Sequence, residues 1–286
     1  MPPPEPPGPP SGPDARDPHA ARHGTRGARA VESLTPLAPR PLNHVLFRQY
    51  WHDLLFLHWE ADPFEVARLL PSGVVPDLHN GRTYVGLVFF RMEDLALGNT
   101  PPLPYLGTFD EVNVRLYSRD ALGRRGVVFR SLDCDRLLPV LAARVAFGLP
   151  YRWARTSRRW FGDRLVYRTR ARTGRRGERP AAHAWADVHD GVAVPGPLDA
   201  FLTSRWGLHG SVAGHSYYLP NTHPAWTFRP CTLLDWDASL IGAAGLTPPR
   251  QEPASVLYAP GVPVRFGTPT ALPPVRHHPA AGPLVP

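Results

Sequence analysis

Phe109-Asp110-Glu111-Val112-Asn113-Val114-Arg115-Leu116-Tyr117 is the stretch from which the fold is read. Its alternation puts Glu111, Asn113, Arg115 and Tyr117 on one face of a strand and Val112, Val114 and Leu116 on the other. A solvent face can be polar at no cost, yet a carboxylate, an amide and a guanidinium in line along one strand also suit a small anion held inside a barrel. The flanking residues bear on that choice.

Upstream, Leu54-Leu55-Phe56-Leu57-His58-Trp59 is an apolar run of strand length. Asp62-Pro63-Phe64-Glu65 places an N-cap, a first-turn proline and a capping-box glutamate ahead of a two-turn helix that Pro71-Ser72-Gly73 stops. Asn80-Gly81 signals a tight turn into residues 83–90, a strand apolar on both faces. Downstream, Asp120-Ala121-Leu122-Gly123 turns the chain into residues 126–132, antiparallel to the Glu111 strand. Asp133 or Asp135 then caps a helix to about Phe147. On it Arg144 sits among Val140, Leu141, Phe147 and Gly148, so it either snorkels to the surface or is buried against an acid such as Glu111 or Asp133. Residues 181–189, 212–219 and 226–234 read as further elements, with a helix at 198–206 and a final edge strand at 257–262. Many short strands with a few short helices predict a mostly β, α+β architecture, a barrel in particular.

Proline marks the ends of the domain. Of 37 Pro, 12 fall in residues 1–41 and 11 in residues 247–286, so residues 1–41 and 267–286 read as disordered tails around one domain at 42–266. The start carries no basic-then-apolar leader and no apolar run reaches membrane-spanning length, which predicts a cytoplasmic protein with no membrane partner. Cys134 and Cys231 are too few for a disulfide framework or a zinc site.

All 32 basic residues are Arg. Without Lys the chain can form no Schiff base and no P-loop, which excludes two large classes of chemistry. The net charge of +8 comes from one segment, because residues 152–179 hold 11 Arg against Asp163 and Glu178. In it, Arg168, Arg170 and Arg172 share a strand face ahead of the turn Gly174-Arg175-Arg176-Gly177. This is read as a solvated edge hairpin in preference to a nucleic-acid stripe, since no stacking motif of the RNP kind accompanies it.

The motifs Trp51-His52-Asp53-Leu54-Leu55-Phe56-Leu57-His58-Trp59, Leu70-Pro71, Glu111-Val112-Asn113-Val114-Arg115, Ser131-Leu132-Asp133, Ala143-Arg144 with Leu149-Pro150-Tyr151, Phe201-Leu202-Thr203 and His223-Pro224-Ala225-Trp226 come in an order that resembles the YqjF-like family of the acetoacetate-decarboxylase-like superfamily. That resemblance implies an antiparallel β-barrel with a central pocket. It also implies that Glu111 is a pocket carboxylate and that Tyr151 and Arg152 stand where decarboxylases carry the Schiff-base lysine, so decarboxylase chemistry is denied.

On this basis Glu111 is a candidate general base with Tyr151 donating a hydrogen bond beside it, and Asn113, Arg115, Arg144 and His58 are candidate contacts to a small organic acid or carbonyl compound. Neither a metal nor a cofactor is expected: His58, His209, His215 and His223 lack zinc-site spacing. Two readings stay open. One is an enzyme working through Glu111 and Arg115 without covalent amine chemistry; the other is a ligand-binding or partner-stabilising barrel in which the same residues form a structural ion network, with a homo-oligomer compatible with either.

Overall fold

The stretch around Glu111 is β4, Phe109–Asp120, and both of its faces are buried. It sits in a computed structural model that describes Met1 and residues 30–137, 144–172 and 179–273. Val112, Val114 and Leu116 pack into one apolar cluster with Leu55, Leu57 and Trp59, while Tyr117 belongs to another. An antiparallel strand that buries both faces must have structure on each side, so the polar row does not look onto solvent.

The strands around β4 are β1 (Phe47–Ala61), β3 (Thr83–Leu97), β5 (Arg125–Cys134), β9 (Gly207–Val212), β10 (His215–Thr222) and β12 (Ser255–Phe266). Their pairings run β5-β9-β10-β12-β1-β3-β4 and return from β4 to β5, a closed circuit. The seam is narrow where β5 meets β9, through Val127 and Leu208 alone. A short β2 (Val74–Pro76) extends β4, and β13 (Thr270–Ala271) extends β10.

A second layer leaves this circuit at β5. β6 (Tyr151–Phe161) runs parallel to β5 over its first three residues, then departs to pair with β7 (Arg164–Ala171), which continues to β8 (Ala181–Val188) and β11 (Cys231–Asp237). The small inward side chains Ala182, Ala184 and Ala186 let this layer close onto the Leu55-Leu57-Trp59 face. Helix α3 (Ser239–Ala243) adds Leu240 and Ile241 to the same cluster. Helix α1 (Pro63–Ala67) begins where expected, with Asp62 Oδ1 accepting from Phe64 N at 2.7 Å. Its Glu65 does not close a capping box but accepts from Thr247 N and Oγ1, at 3.1 and 2.7 Å.

Several expectations are corrected. β7 is hydrogen-bonded on both sides, so the Arg-rich strand lies inside its sheet and is not an edge; the turn expected at 174–177 falls outside the described residues. β12 meets β10 only at Arg265 and Phe266; residues 257–262 pair with β1 and, on the other side, only through the isolated bridge of Tyr258 to Arg229. Asp133 stays in β5 and caps no helix, because its carboxylate is taken by Arg152; residues 138–143 of the expected helix are outside the described residues. The expected strand at 212–219 is two strands joined at Ala213-Gly214, both with positive φ. Helix α2 (Pro197–Thr203) stops short of Trp206, and the element expected at 226–234 is β11, displaced toward the C-terminus.

The folded unit also exceeds 42–266. Glu32 accepts from the Arg125 backbone N at 3.0 Å, Thr35 O accepts from Trp206 Nε1 at 3.3 Å, and β13 with the buried Leu272 lies beyond 266. Among the described residues no helix is long and apolar enough to cross a membrane.

Candidate functional site

Two β-bulges decide which side chains face inward. In β1 the register against β3 slips between Arg48 and Tyr50 and again between His52 and Leu55, where Asp53 adopts φ 50°. The inward residues therefore change parity, from Phe47, Gln49 and Trp51 to Leu54 and Phe56. Asp53 is held in that conformation by its neighbours. Its carboxylate accepts from Tyr258 Oη at 2.8 Å and pairs with Arg158, and its backbone O accepts from Tyr167 Oη at 2.8 Å.

The inward residues enclose a cavity of about 80 Å³. At ~30 Å³ per water, that is room for a few waters or a very small organic molecule. Glu111, Asn113 and Arg115 line it from β4, Tyr151 from the first residue of β6, and Gln49 and Trp51 from β1; Phe56, Phe90, Leu132 and Phe266 supply much of the apolar wall. Polar groups converging in a mostly apolar chamber are what a small-ligand site requires.

Glu111 is 2% exposed. Its Oε2 accepts from Tyr151 Oη at 2.8 Å and its Oε1 more weakly from Asn113 Nδ2 at 3.5 Å. Burial raises its pKa to about 7; the two hydrogen bonds oppose that rise and the nearby Asp133 adds to it. Tyr151 is driven well above its ordinary value, first by burial and then by the Glu111 charge, so its proton stays on the phenol. Asn113 Oδ1 and Trp51 Nε1 are buried with no hydrogen-bond partner. Such atoms are costly unless something else satisfies them.

Arg115 does not pair with Glu111. Its Nε donates to Tyr117 Oη at 3.1 Å and its Nη2 to Leu202 O at 3.2 Å, while the guanidinium carbon lies 5.3 Å from the Phe56 ring centre and 5.5 Å from that of Tyr117. No carboxylate lies within ion-pair distance of it among the described residues. The pairing that would make this cluster a structural ion network is not formed.

Two sequence-predicted contacts do not reach the cavity. Arg144 is exposed and its Nε donates to the Tyr151 backbone O at 2.5 Å, so it braces the start of β6 from outside. Neither of its expected acids is open to it, since Glu111 faces Tyr151 and Asp133 is held by Arg152 Nε at 2.7 Å. That ion pair also turns Arg152 away, leaving Tyr151 as the cavity-facing residue of the two. His58 is fully buried behind the lining; neither ring nitrogen meets strict hydrogen-bond geometry, and its polar neighbour is the Ser255 backbone. Burial first, then the Arg115 charge, lower its pKa well below the ordinary value, so it is neutral.

His58, Gly86 and Arg115 form a cross-strand row through β1, β3 and β4. A Cβ on Gly86 would stand 3.1 Å from His58 Cδ2 and from Tyr117 Oη, and 3.2 Å from Arg115 Cγ. Glycine there lets the two flanking side chains close over the strand. Gln49 and Trp51 are the lining residues with side-chain polar atoms that sequence reasoning missed. Their signal is the alternation Phe47, Gln49, Trp51, broken by the bulge at Asp53 before it meets Leu54.

The chain belongs to the DUF2071 family, described as an uncharacterized conserved protein, whose profile matches residues 48–263. It is 30% identical over 208 residues to the uncharacterized protein YqjF of Bacillus subtilis, a match spanning 73% of this chain and 85% of that protein. Among solved structures it is similar to acetoacetate decarboxylase from Legionella pneumophila, with TM-score 0.55 and 19% identity over 82% of this chain and 92% of that one. It is also similar to an acetoacetate decarboxylase-like enzyme from Sphingomonas wittichii, with TM-score 0.54 and 14% identity over 87% and 100%. A third is the enduracididine biosynthesis enzyme MppR complexed with pyruvate, with TM-score 0.52 and 14% identity over 82% and 93%. At these identities the structures establish a shared acetoacetate decarboxylase-like fold.

Proposed function

We propose that this protein binds a small organic acid or carbonyl compound in the Glu111 cavity and acts on it by proton transfer, with no covalent amine intermediate. The observation that carries the reading is the pairing pattern: a guanidinium without a carboxylate and a carboxyl group that titrates near pH 7 line one chamber without neutralising each other. In this scheme Arg115 holds the ligand's anionic or carbonyl oxygen. Asn113 Oδ1 and Trp51 Nε1 supply one acceptor and one donor that want a partner. Glu111 takes a proton from a carbon or water beside the bound carbonyl and returns it. A carboxyl with a pKa of about 7 is suited to both directions at neutral pH, and Tyr151 keeps its own proton and stabilises the carboxylate form by hydrogen bonding.

The full chain contains no Lys, so enolisation or hydration fits the residues where Schiff-base decarboxylation does not. A fold neighbour binds pyruvate, which makes small 2-oxo acids the first ligands to try.

The test is a thermal-shift series with small 2-oxo acids, simple carboxylates and aldehydes, run on the native protein and on Arg115→Met, followed by exchange of ligand α-protons with deuterated solvent on Glu111→Gln. A ligand at about 100 times its dissociation constant adds roughly 2.7 kcal/mol to native stability. A shift lost in Arg115→Met, with exchange lost in Glu111→Gln, supports the proposal. A shift that survives Arg115→Met sinks the anion clamp, and ligand binding with no exchange in the native protein leaves a binding barrel instead.

A further inference from the structure

The sheet β11-β8-β7-β6 buries one face, through Ala154, Leu165, Tyr167 and Ala184, and turns the other to solvent. Strand alternation sends Arg155 and Arg159 of β6, Arg168 and Arg170 of β7, and Arg172 just beyond it to that open face. All five are exposed, and none has a carboxylate partner among the described residues; Arg164 alone on this face is neutralised, by Asp187 at 2.8 and 3.1 Å.

Their arrangement works against the stability of the sheet. Arg155 lies directly across from Arg170, and Arg168 is the next residue along the same face. Like charges opposite one another weaken a strand pair. Edge protection does not explain Arg168 and Arg170, because β7 is paired on both sides, whereas β6 is paired on one side only beyond Trp153. The same face carries flat aromatic surface under the charges. Arg172 lies 4.6 Å from the centre of the Trp153 ring and Arg168 lies 5.5 Å from that of Trp185. Between the rows runs an open groove of about 450 Å³, with Phe161, Arg159 and Trp185 among its walls.

Charges in rows and aromatic rings on one sheet face, the exposed Trp153 beside Arg172 and the half-buried Trp185 in the groove wall, are the two elements that single-stranded nucleic acid recognition combines, phosphate pairing with base stacking. Along a strand, same-face residues recur every ~7 Å, comparable to successive phosphates of a stretched single strand. Linear rows favour a linear polyanion over dispersed lipid headgroups. We infer that the open face of β6, β7 and β8 is a binding surface for single-stranded nucleic acid, the Arg rows holding phosphates and Trp153 and Trp185 stacking on bases. The inference is independent of the Glu111 cavity, whose residues it does not use.

The experiment is fluorescence anisotropy with an end-labelled oligouridylate on the full chain. With five phosphate contacts and a slope of about 0.7 per contact, affinity should fall roughly a hundredfold between about 50 and 200 mM salt. The triple variant Arg155→Gln, Arg168→Gln, Arg170→Gln should flatten the log–log slope by about 2. The double variant Trp153→Leu, Trp185→Leu keeps every charge, so it should weaken binding at least about thirtyfold at an unchanged slope, a loss that generic polyanion attraction would not give. Matching circular dichroism melts would certify that both variants fold. No oligonucleotide binding at low salt overturns the inference. So does binding indifferent to the Trp pair and equally competed by heparin, preference for phosphatidylserine vesicles, or self-association that the Arg variant abolishes, since that would make the face a contact between copies.

Discussion

Glu111→Gln tests the electrostatics of the cavity directly. The carboxyl titrates near 4.5 in an unfolded chain and near 7 in the native protein, because burial disfavours its charged form. A folded-state pKa above the unfolded value means that the native state binds the proton more tightly. The resulting stabilisation is complete below about pH 4.5 and is lost as pH rises through 7. The gap of about 2.5 pH units, at ~1.36 kcal/mol each, amounts to about 3 kcal/mol. Glutamine does not titrate, yet it keeps an oxygen to accept from Tyr151 Oη, and a flip of the Asn113 amide, whose Nδ2 now faces Glu111, would let the new N–H donate to Asn113 Oδ1. The native protein and the variant should therefore melt together at pH 4.5, and at pH 8 the variant should be the more stable by up to about 3 kcal/mol. That corresponds to roughly 5–10 °C in Tm for a domain of this size. Circular dichroism melts of both proteins from pH 4.5 to 9 give the difference curve, in which all other titrations cancel. A variant less stable by a constant amount at every pH would refute the reasoning. It would mean that Glu111 is a charged partner in an ion pair and that Arg115 is compensated by it.

Gly86→Ala forces a methyl against His58 Cδ2, Tyr117 Oη and Arg115 Cγ, so it should cost about 1–3 kcal/mol in urea denaturation and abolish any ligand shift that depends on Arg115. His58→Leu removes two buried ring nitrogens that make no well-formed hydrogen bond and should hold or raise stability by about 1 kcal/mol; a clear loss would show that the imidazole's approach to the Ser255 backbone is a bond the native site depends on. Arg152→Met strands Asp133, which is fully buried, and should cost about 3–5 kcal/mol at pH 8. Since burial already raises the Asp133 pKa, that cost should shrink as pH falls and the acid takes a proton; a pH-independent cost would assign the loss to packing.

Alternation made β4 readable, since its bulge against β5 lies between Val114 and Arg115 and leaves Glu111 and Asn113 in phase along their own strand. It also set the start of α1, where Asp62 and Pro63 leave little choice. What alternation could not reveal was which side of β4 faced a chamber, because a polar face reads alike toward water or toward a cavity. β1 failed for a related reason. A slip of one residue reverses every side chain beyond it, so Gln49 and Trp51 belong with Leu54 and Phe56 only once the bulge at Asp53 is known. Arg144 is a different case: apolar helical neighbours suit a snorkelling guanidinium as well as a buried one, and the exposed side chain lies against the backbone of β6.

The placement of Tyr151 gives the site its chemical character. It occupies the start of β6, where β5 and β6 run parallel for three residues, and that register aims its phenol at Glu111 while the next side chain, Arg152, turns to Asp133. One strand thus separates two acids with unlike partners. Asp133 is held by a cation, which offsets part of the burial that raises its pKa. Glu111 has only a phenol and an amide, neutral donors that cannot cancel the cost of burying its charge, and its pKa settles near neutrality. Were Arg115 turned toward it, Glu111 would be an ordinary low-pKa carboxylate with no proton to exchange. Tyr117 Oη and Leu202 O instead hold the guanidinium, leaving the cation and the titrating acid as separate functions in one chamber.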